Sequence, residues 1–321
     1  MIIITGAAGF IASNLITELN LNRFYDLVLV DDFSHEEKNK NFEGKKYSQK
    51  IHRDELKTFI DENHRHIQFV FHNGAKSATT GFPKSVYDSL NLEYSKMVWK
   101  ACVEYGLPLV YASSAATYGF GELGYNDDHE IVEQLQPLND YGISKNDFDK
   151  WALKQERQPY FWAGLKYFNV YGPNEYHKGR MASVVYHAFN QINATGTMKL
   201  FKSHHPDFKD GEQQRDFIYV KDLSSVMMFL MHHRKDSGLY NVGTGEARTF
   251  LDLVKNTFKA MGKDENIEFI PTPEDIRDKY QYFTEANMQK LRSIGYNKPF
   301  ITLEQGVADY VKAYLIGHQY H

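Results

Sequence analysis

The chain has 321 residues, 42% of them hydrophobic and 24% charged, with a formal net charge of -4. That balance is ordinary for one large globular domain or two closely packed ones, and it offers no general attraction to nucleic acid or an anionic membrane. A single cysteine, Cys102, excludes an internal disulfide and points to a reducing, cytoplasmic setting. No apolar run reaches transmembrane length and a strand starts at Met1, so neither a membrane span nor a leader peptide is expected.

Residues 1–5, Met-Ile-Ile-Ile-Thr, are a short apolar run of the kind buried in a parallel sheet. The chain then turns through Gly6-Ala-Ala-Gly9-Phe-Ile-Ala12 into an apolar-periodic helix ending near Leu19. Gly6 and Gly9 permit a tight turn and the close approach of a pyrophosphate, which sits on the helix N-terminus, while Ala12 packs helix on strand. A second strand, residues 26–31, ends in Asp31, where an acid holds an adenosine ribose hydroxyl. Asp32 follows directly. Lys38 is placed either to pair with a ribose 2′-phosphate or to be one more solvated charge, and Arg53 is a second cation for the adenosine end. The third strand, residues 67–71, runs into His72-Asn-Gly74-Ala75-Lys76-Ser77, small residues that admit a dinucleotide at a topological switch point. Helical spacing extends from Pro83 to Tyr105 through Asn91. A fourth strand, residues 107–112, delivers Ser113 and Ser114 to the same sheet edge, and a polar loop over residues 119–139 leads to a helix opened by Asp140.

Tyr141 and Lys145 are four apart on that helix, so they share a face about 5–6 Å apart. A free tyrosine, with a pKa of about 10, is a poor base at neutral pH. A neighbouring ammonium favours the phenolate, a cationic nicotinamide adds to that, and Ser114 holds a substrate alcohol in line. After a strand at residues 164–168 come Asn169-Val-Tyr-Gly-Pro173 and His177-Lys-Gly-Arg180, then helices alternating with short strands at 199–201, 215–220 and 240–245. The expected fold is α/β: a Rossmann-type doubly wound parallel sheet, residues 1–168 mainly, with a smaller α/β substrate-binding lobe, residues 169–321 mainly, interleaved with the end of the sheet. His204 and His205, followed by Asp207, hint at a metal, but no further ligand has a credible spacing, so no metal is expected.

Thr5-Gly-Ala-Ala-Gly-Phe-Ile11, Asp31, Ser114, Tyr141-x-x-x-Lys145 and Arg215-Asp-Phe217 resemble the extended short-chain dehydrogenase/reductase family of nucleotide-sugar enzymes over nearly the whole chain. Further blocks, Tyr111 to Gly119, Phe168 to Pro173, His177 to Gly179 with residues 181–184, Lys199 to Phe201 and Tyr280 to Thr284, are similar to the branch that epimerises C6 of an ADP-linked mannoheptose for the lipopolysaccharide inner core. The resemblance implies NADP ahead of NAD, an ADP-sugar substrate and a homo-oligomer. It implies Tyr141 and Lys178 as opposed acid/bases, with Lys145 tuning the phenol and Ser114 orienting the oxygen. Cofactor positions carried over are Gly6, Gly9, Phe10, Ile11, Asp31, Asp32, Lys38, Arg53, Gly74, Ala75, Lys76, Ser77, Ala78, Asn91, Tyr141, Lys145, Val170 and Lys178. Substrate positions are Ser114, Asn169, Arg180, His187, Phe201, Lys202, Arg215 and Tyr280. For Phe201 and His187 a plain core role stands beside the functional one. Three departures stand out: Asp32 replaces an amide, Arg180 replaces a small residue, and residues 209–213 lengthen the loop before Arg215. The rivals are a UDP-hexose 4-epimerase and a catalytically silent NADP-binding scaffold on the same fold.

Overall fold

Parallel strands covered on both faces need apolar side chains at every position, and the runs near the N-terminus supply them. In the computed structural model, which describes residues 1–277 and 280–321, six strands form first. They are β1 (Ile2–Thr5), β2 (Leu27–Asp31), β3 (Gln49–His52), β4 (Phe69–His72), β5 (Leu109–Ser114) and β6 (Trp162–Tyr167). The chain then makes β7 (Asn169–Tyr171), β8 (Met198–Phe201), β9 (Gln214–Tyr219), β10 (Gly238–Val242), β11 (Ala247–Thr249) and β12 (Ile267–Ile270). The main sheet is parallel, in the order β10-β6-β5-β4-β1-β2-β3. This is the expected doubly wound, Rossmann-type sheet.

Alternation along each strand divides the core. Ile2 and Ile4, Leu27 and Leu29, and Phe69 and Phe71 face the helices Phe10–Leu21 and Val220–His233. Ile3, Val28, Val30 and Val70 face Leu56–Asn63, Tyr94–Tyr105 and Asp140–Leu153 on the other side. A third cluster joins β8 and β9 to the helices Val184–Thr195, Phe250–Met261 and Leu303–Asp309. Two small sheets, β11-β9-β7 and β12-β8, belong to this C-terminal part, while β10 returns to the main sheet. The order reverses between β1 and β4, whose carboxyl ends lie side by side. A cleft for a ligand opens at such a place.

The strands β7, β11 and β12 were not expected from the sequence, and three further readings in the main sheet and its helices also differ. β3 was not anticipated, because Gln-Lys-Ile-His at a sheet edge has no apolar run and its first two residues are exposed. The helix expected from Pro83 to Tyr105 is Lys84–Tyr87, a π-helical stretch Asp88–Glu93 and then Tyr94–Tyr105. Ser113 and Ser114 lie within β5 rather than after it. Among the described residues no helix is long and apolar enough to cross a membrane.

One buried ion pair anchors the helix Asp140–Leu153 to the sheet. Lys166 Nζ lies 2.8 Å from Asp149 Oδ2, both side chains fully buried. Asp149 also accepts from Tyr111 Oη (3.0 Å) and Ser113 Oγ (2.6 Å). Lys166→Met leaves that carboxylate without its cation and should cost about 3–5 kcal/mol in urea unfolding. A loss below about 1 kcal/mol, the range of exposed pairs, would count against this anchoring role.

Candidate active site

Gly6 adopts φ +67°, and a Cβ there would lie 2.8 Å from Gly74 Cα. Only glycine lets the ends of β1 and β4 approach so closely. Gly9 precedes the helix Phe10–Leu21 and no side chain caps it, so the N–H groups of its first turn are left for an anion. Asp31, at the end of β2, accepts from the Ala8 N–H (2.9 Å) and the Asp32 N–H (2.7 Å). It therefore shapes the glycine turn, and as it also lines the cleft it has acceptor capacity left for a ribose hydroxyl. Asp32 accepts from Ser34 Oγ (2.6 Å) and lies 3.6 Å from Arg53 Nη2. The Ser34 hydrogen bonds and Arg53 hold its carboxyl below the usual range. Burial, with Lys38 and Arg53 nearby, pushes the Lys76 ammonium down. Three cations thus crowd one end of the cleft.

These residues line a cavity of about 560 Å3 that also takes in Ala75, Ser77, Ala78, Tyr141, Lys145 and Lys178. A close glycine pair, an open helix N-terminus and an acid at the second strand end fit a dinucleotide. Asn91 stands behind the wall rather than in it. Its side chain accepts from the Lys76 N–H (2.7 Å) and donates to the Lys76 carbonyl (3.1 Å) and Ser144 Oγ (3.0 Å), so it fixes the 74–78 segment from the back. The π-helical turn carrying Asn91 is a common device near functional sites.

Asn139 caps the helix that carries Tyr141 and Lys145, accepting from the Gly142 N–H at 2.8 Å. A Cβ on Gly142 would meet the Ala116 carbonyl at 2.8 Å, so this glycine lets the helix sit against the end of β5. Lys145 Nζ donates to the Ala112 carbonyl (2.6 Å), and burial lowers its pKa to about 8 against the opposing pull of Asp149. Burial raises the Tyr141 pKa, and a hydrogen bond with Ser114 only partly offsets that. Lys145 is not among the groups that shift the Tyr141 phenol, for which desolvation of the phenolate dominates.

Lys178 comes from elsewhere, a short 3-10 stretch Tyr176–Met181. Its Nζ stands 4.8 Å from the Phe10 ring centroid, and burial pushes its pKa down against Glu175. It faces the same cavity as Tyr141. His177 lines it too, with Nδ1 3.3 Å from Asn41 Nδ2, and burial lowers its pKa to about 4.

The remaining positions are dispersed. Ser114 and Val170 do not line the cavity; Ser114 meets it through Tyr141, and Val170 sits on β7 opposite Ile218. Arg215 is buried with its guanidinium 5.5 Å from the Tyr280 ring centroid, and Phe201 packs edge-on to Tyr280 at 6.2 Å. Asn169, Arg180 and Lys202 are exposed, and His187 Nε2 lies 3.4 Å from the Arg180 carbonyl. Sequence reasoning assigned no role to the cavity residues Asn73, Tyr167, His177, Met181 and Phe82. His177 and Met181 stand close to Lys178 in the stretches that carry the family resemblance, a usable signal. Tyr167 donates to Asn73 Oδ1 (3.0 Å) across two strands, which no local pattern announces.

Residues 2–243 match the NAD dependent epimerase/dehydratase family. The chain belongs to that family. Among family members, it is 49% identical over 325 aligned positions to an ADP-L-glycero-D-manno-heptose-6-epimerase of Fusobacterium nucleatum, with 98% of each chain covered. A protein of the same name from Nitratidesulfovibrio vulgaris strain DP4 is 48% identical, again over 98% of each chain. The crystal structure of the Helicobacter pylori ADP-L-glycero-D-manno-heptose-6-epimerase superposes with a TM-score of 0.80 at 28% identity, covering 97% of this chain and 95% of that one.

Proposed function

We propose that this chain converts ADP-D-glycero-D-manno-heptose to ADP-L-glycero-D-manno-heptose, through a transient 6-keto sugar on tightly bound NADP, for the lipopolysaccharide inner core. The observation that carries the reading is a single cavity lined by a dinucleotide-type glycine turn and by Tyr141 and Lys178, which arrive on different elements. The names of the Fusobacterium and Helicobacter relatives support the choice of sugar.

When bound, the dinucleotide supplies a hydride acceptor for C6, returns the hydride to the other face, and adds a positive charge that favours the Tyr141 phenolate. The chain's own work is proton handling. Tyr141, hydrogen-bonded to Ser114, takes the hydroxyl proton as the alcohol becomes a ketone, and the family resemblance gives Ser114 the task of orienting the C6 oxygen. Rotation about the C5–C6 bond turns the carbonyl to Lys178, whose ammonium protonates it as the alcohol reforms. In the opposite direction the two groups exchange roles. Burial lowers the Lys178 pKa, which eases the loss of its proton.

Purified protein given ADP-D-glycero-D-manno-heptose and UDP-galactose separately, with products read by NMR, tests the assignment. Inversion at C6 of the heptose is expected. Turnover of the UDP-sugar alone would establish the 4-epimerase rival, and turnover of neither sugar the silent scaffold.

NADP is proposed over NAD because Lys38, Arg53 and Lys76 converge at one end of the cleft and Asp32 is already engaged by Ser34 and Arg53. Lys38→Glu should weaken NADPH binding roughly 10–100-fold, the worth of one charged hydrogen bond. NADH affinity should barely move, and fluorescence titration of both reads the difference. Equal losses for the two would favour NAD. Self-association, implied by the family resemblance, belongs to the same proposal and is read by sedimentation velocity. A cytoplasmic setting belongs to it as well, one that the lone buried Cys102 fits.

A further inference from the structure

Between β7 and the helix Val184–Thr195 the only regular structure is the short stretch Tyr176–Met181, yet Lys178 on it is held in the cavity. Buried groups just upstream tie this segment to two other parts of the chain. Asn174 is fully buried with φ 75°. Its amide donates to Ser13 Oγ (3.0 Å) and the His321 carbonyl (3.1 Å), and accepts from the His321 N–H (2.8 Å). Asn14, also buried, donates to the carbonyls of Pro173 (3.0 Å) and Phe10 (2.9 Å), and its Oδ1 lies 2.9 Å from His321 Nδ1. Tyr176 donates to the Gln319 carbonyl (2.9 Å), and its ring packs on His318 at 4.4 Å and Tyr320 at 4.9 Å. The Lys45 ammonium and the Thr17 hydroxyl also reach the His321 carbonyl. Downstream, Glu175 accepts from the Ser183 N–H and Oγ, both at 2.6 Å.

We infer that Asn174 and Tyr176, strapped down by residues 317–321, are positioning residues that set Lys178 against Phe10 and hence against the reacting carbon. The strap binds the segment that carries Lys178 to the same helix turn that carries Phe10, so its polar junction fixes the offset between amine and cavity floor. The inference rests on reading Lys178 as an acid/base.

Asn174→Gly keeps the left-handed backbone and removes all three amide hydrogen bonds. Tyr176→Phe, which loses only the hydroxyl's contacts with the carbonyls of Gln319 (2.9 Å) and Tyr314 (3.3 Å), is the milder variant should the first not fold. The expected result is a fall in kcat of roughly tenfold or more for Asn174→Gly, since misplacing a catalytic group by about 1 Å is costly. KM should stay within about twofold, because ground-state binding is untouched. NADPH affinity should be unchanged, and amide hydrogen exchange over residues 176–183 should rise. Tyr176→Phe should move both readouts the same way by a smaller factor. Unchanged kcat, unchanged exchange, or parallel losses of kcat and NADPH affinity would each overturn the inference. Lys178→Met measured alongside separates the two ideas. Normal turnover in that variant defeats the acid/base reading, whereas the exchange data judge the strap alone.

Discussion

Tyr141→Phe should lower epimerisation by roughly 10²–10⁴-fold, the usual worth of a general acid/base, with the fold and NADPH binding retained. Phenylalanine fills the same space, and the deleted hydroxyl removes one hydrogen bond, that with Ser114, worth about 0.5–1.5 kcal/mol. Thermal denaturation and NADPH titration check the retained properties, and steady-state rates check the loss. The pH profile gives a sharper reading. In the proposed mechanism each turnover moves one proton through the substrate from one flank to the other, so Tyr-OH with neutral Lys178 and phenolate with charged Lys178 hold equal numbers of protons. Burial raises the first group's pKa and lowers the second's, which shifts the balance toward the former arrangement. The rate should fall at low pH, where both are protonated, and at high pH, where neither is. The limbs belong to the pair rather than to either residue. A near-normal rate in Tyr141→Phe would defeat two-sided proton transfer.

Lys178→Met should match that loss, because an epimerase that lacks either flank cannot complete inversion. The stability outcome differs. Burial disfavours the Lys178 ammonium, and methionine reproduces the aliphatic stem that lies over Phe10, so the melting temperature should stay level or rise. The double variant Tyr141→Phe/Lys178→Met should be no slower than either single one, since groups serving one turnover are strongly non-additive. A multiplicative loss in the double variant would mean that the two residues act independently and that the pairing is wrong.

Much of the architecture was legible before any coordinates. Met1 to Ala12 announced a strand, a glycine turn and a helix, and β1, Gly6 and the helix Phe10–Leu21 follow that pattern. β3 was invisible because an edge strand needs only backbone partners, and Gln49 and Lys50 carry no apolar signal. Lys178 was reached through family resemblance alone; its own neighbours read as an exposed loop. Asn91 was placed against the cofactor, yet it braces the backbone of Lys76 from behind, a distinction that depends on two segments meeting in space.

The sequence by itself determined what depends on neighbours within a few residues: buried strands from short apolar runs, the tight turn from Gly6 and Gly9, and a shared helix face for Tyr141 and Lys145. Only the tertiary structure decided which distant groups meet. Sheet order set β1 beside β4, and a strap from residues 317–321 lies over the segment bearing Lys178. It also decided how deeply Tyr141 is buried, and that burial, a property of the packed chain, pushes its pKa up where spacing alone suggested a lowering.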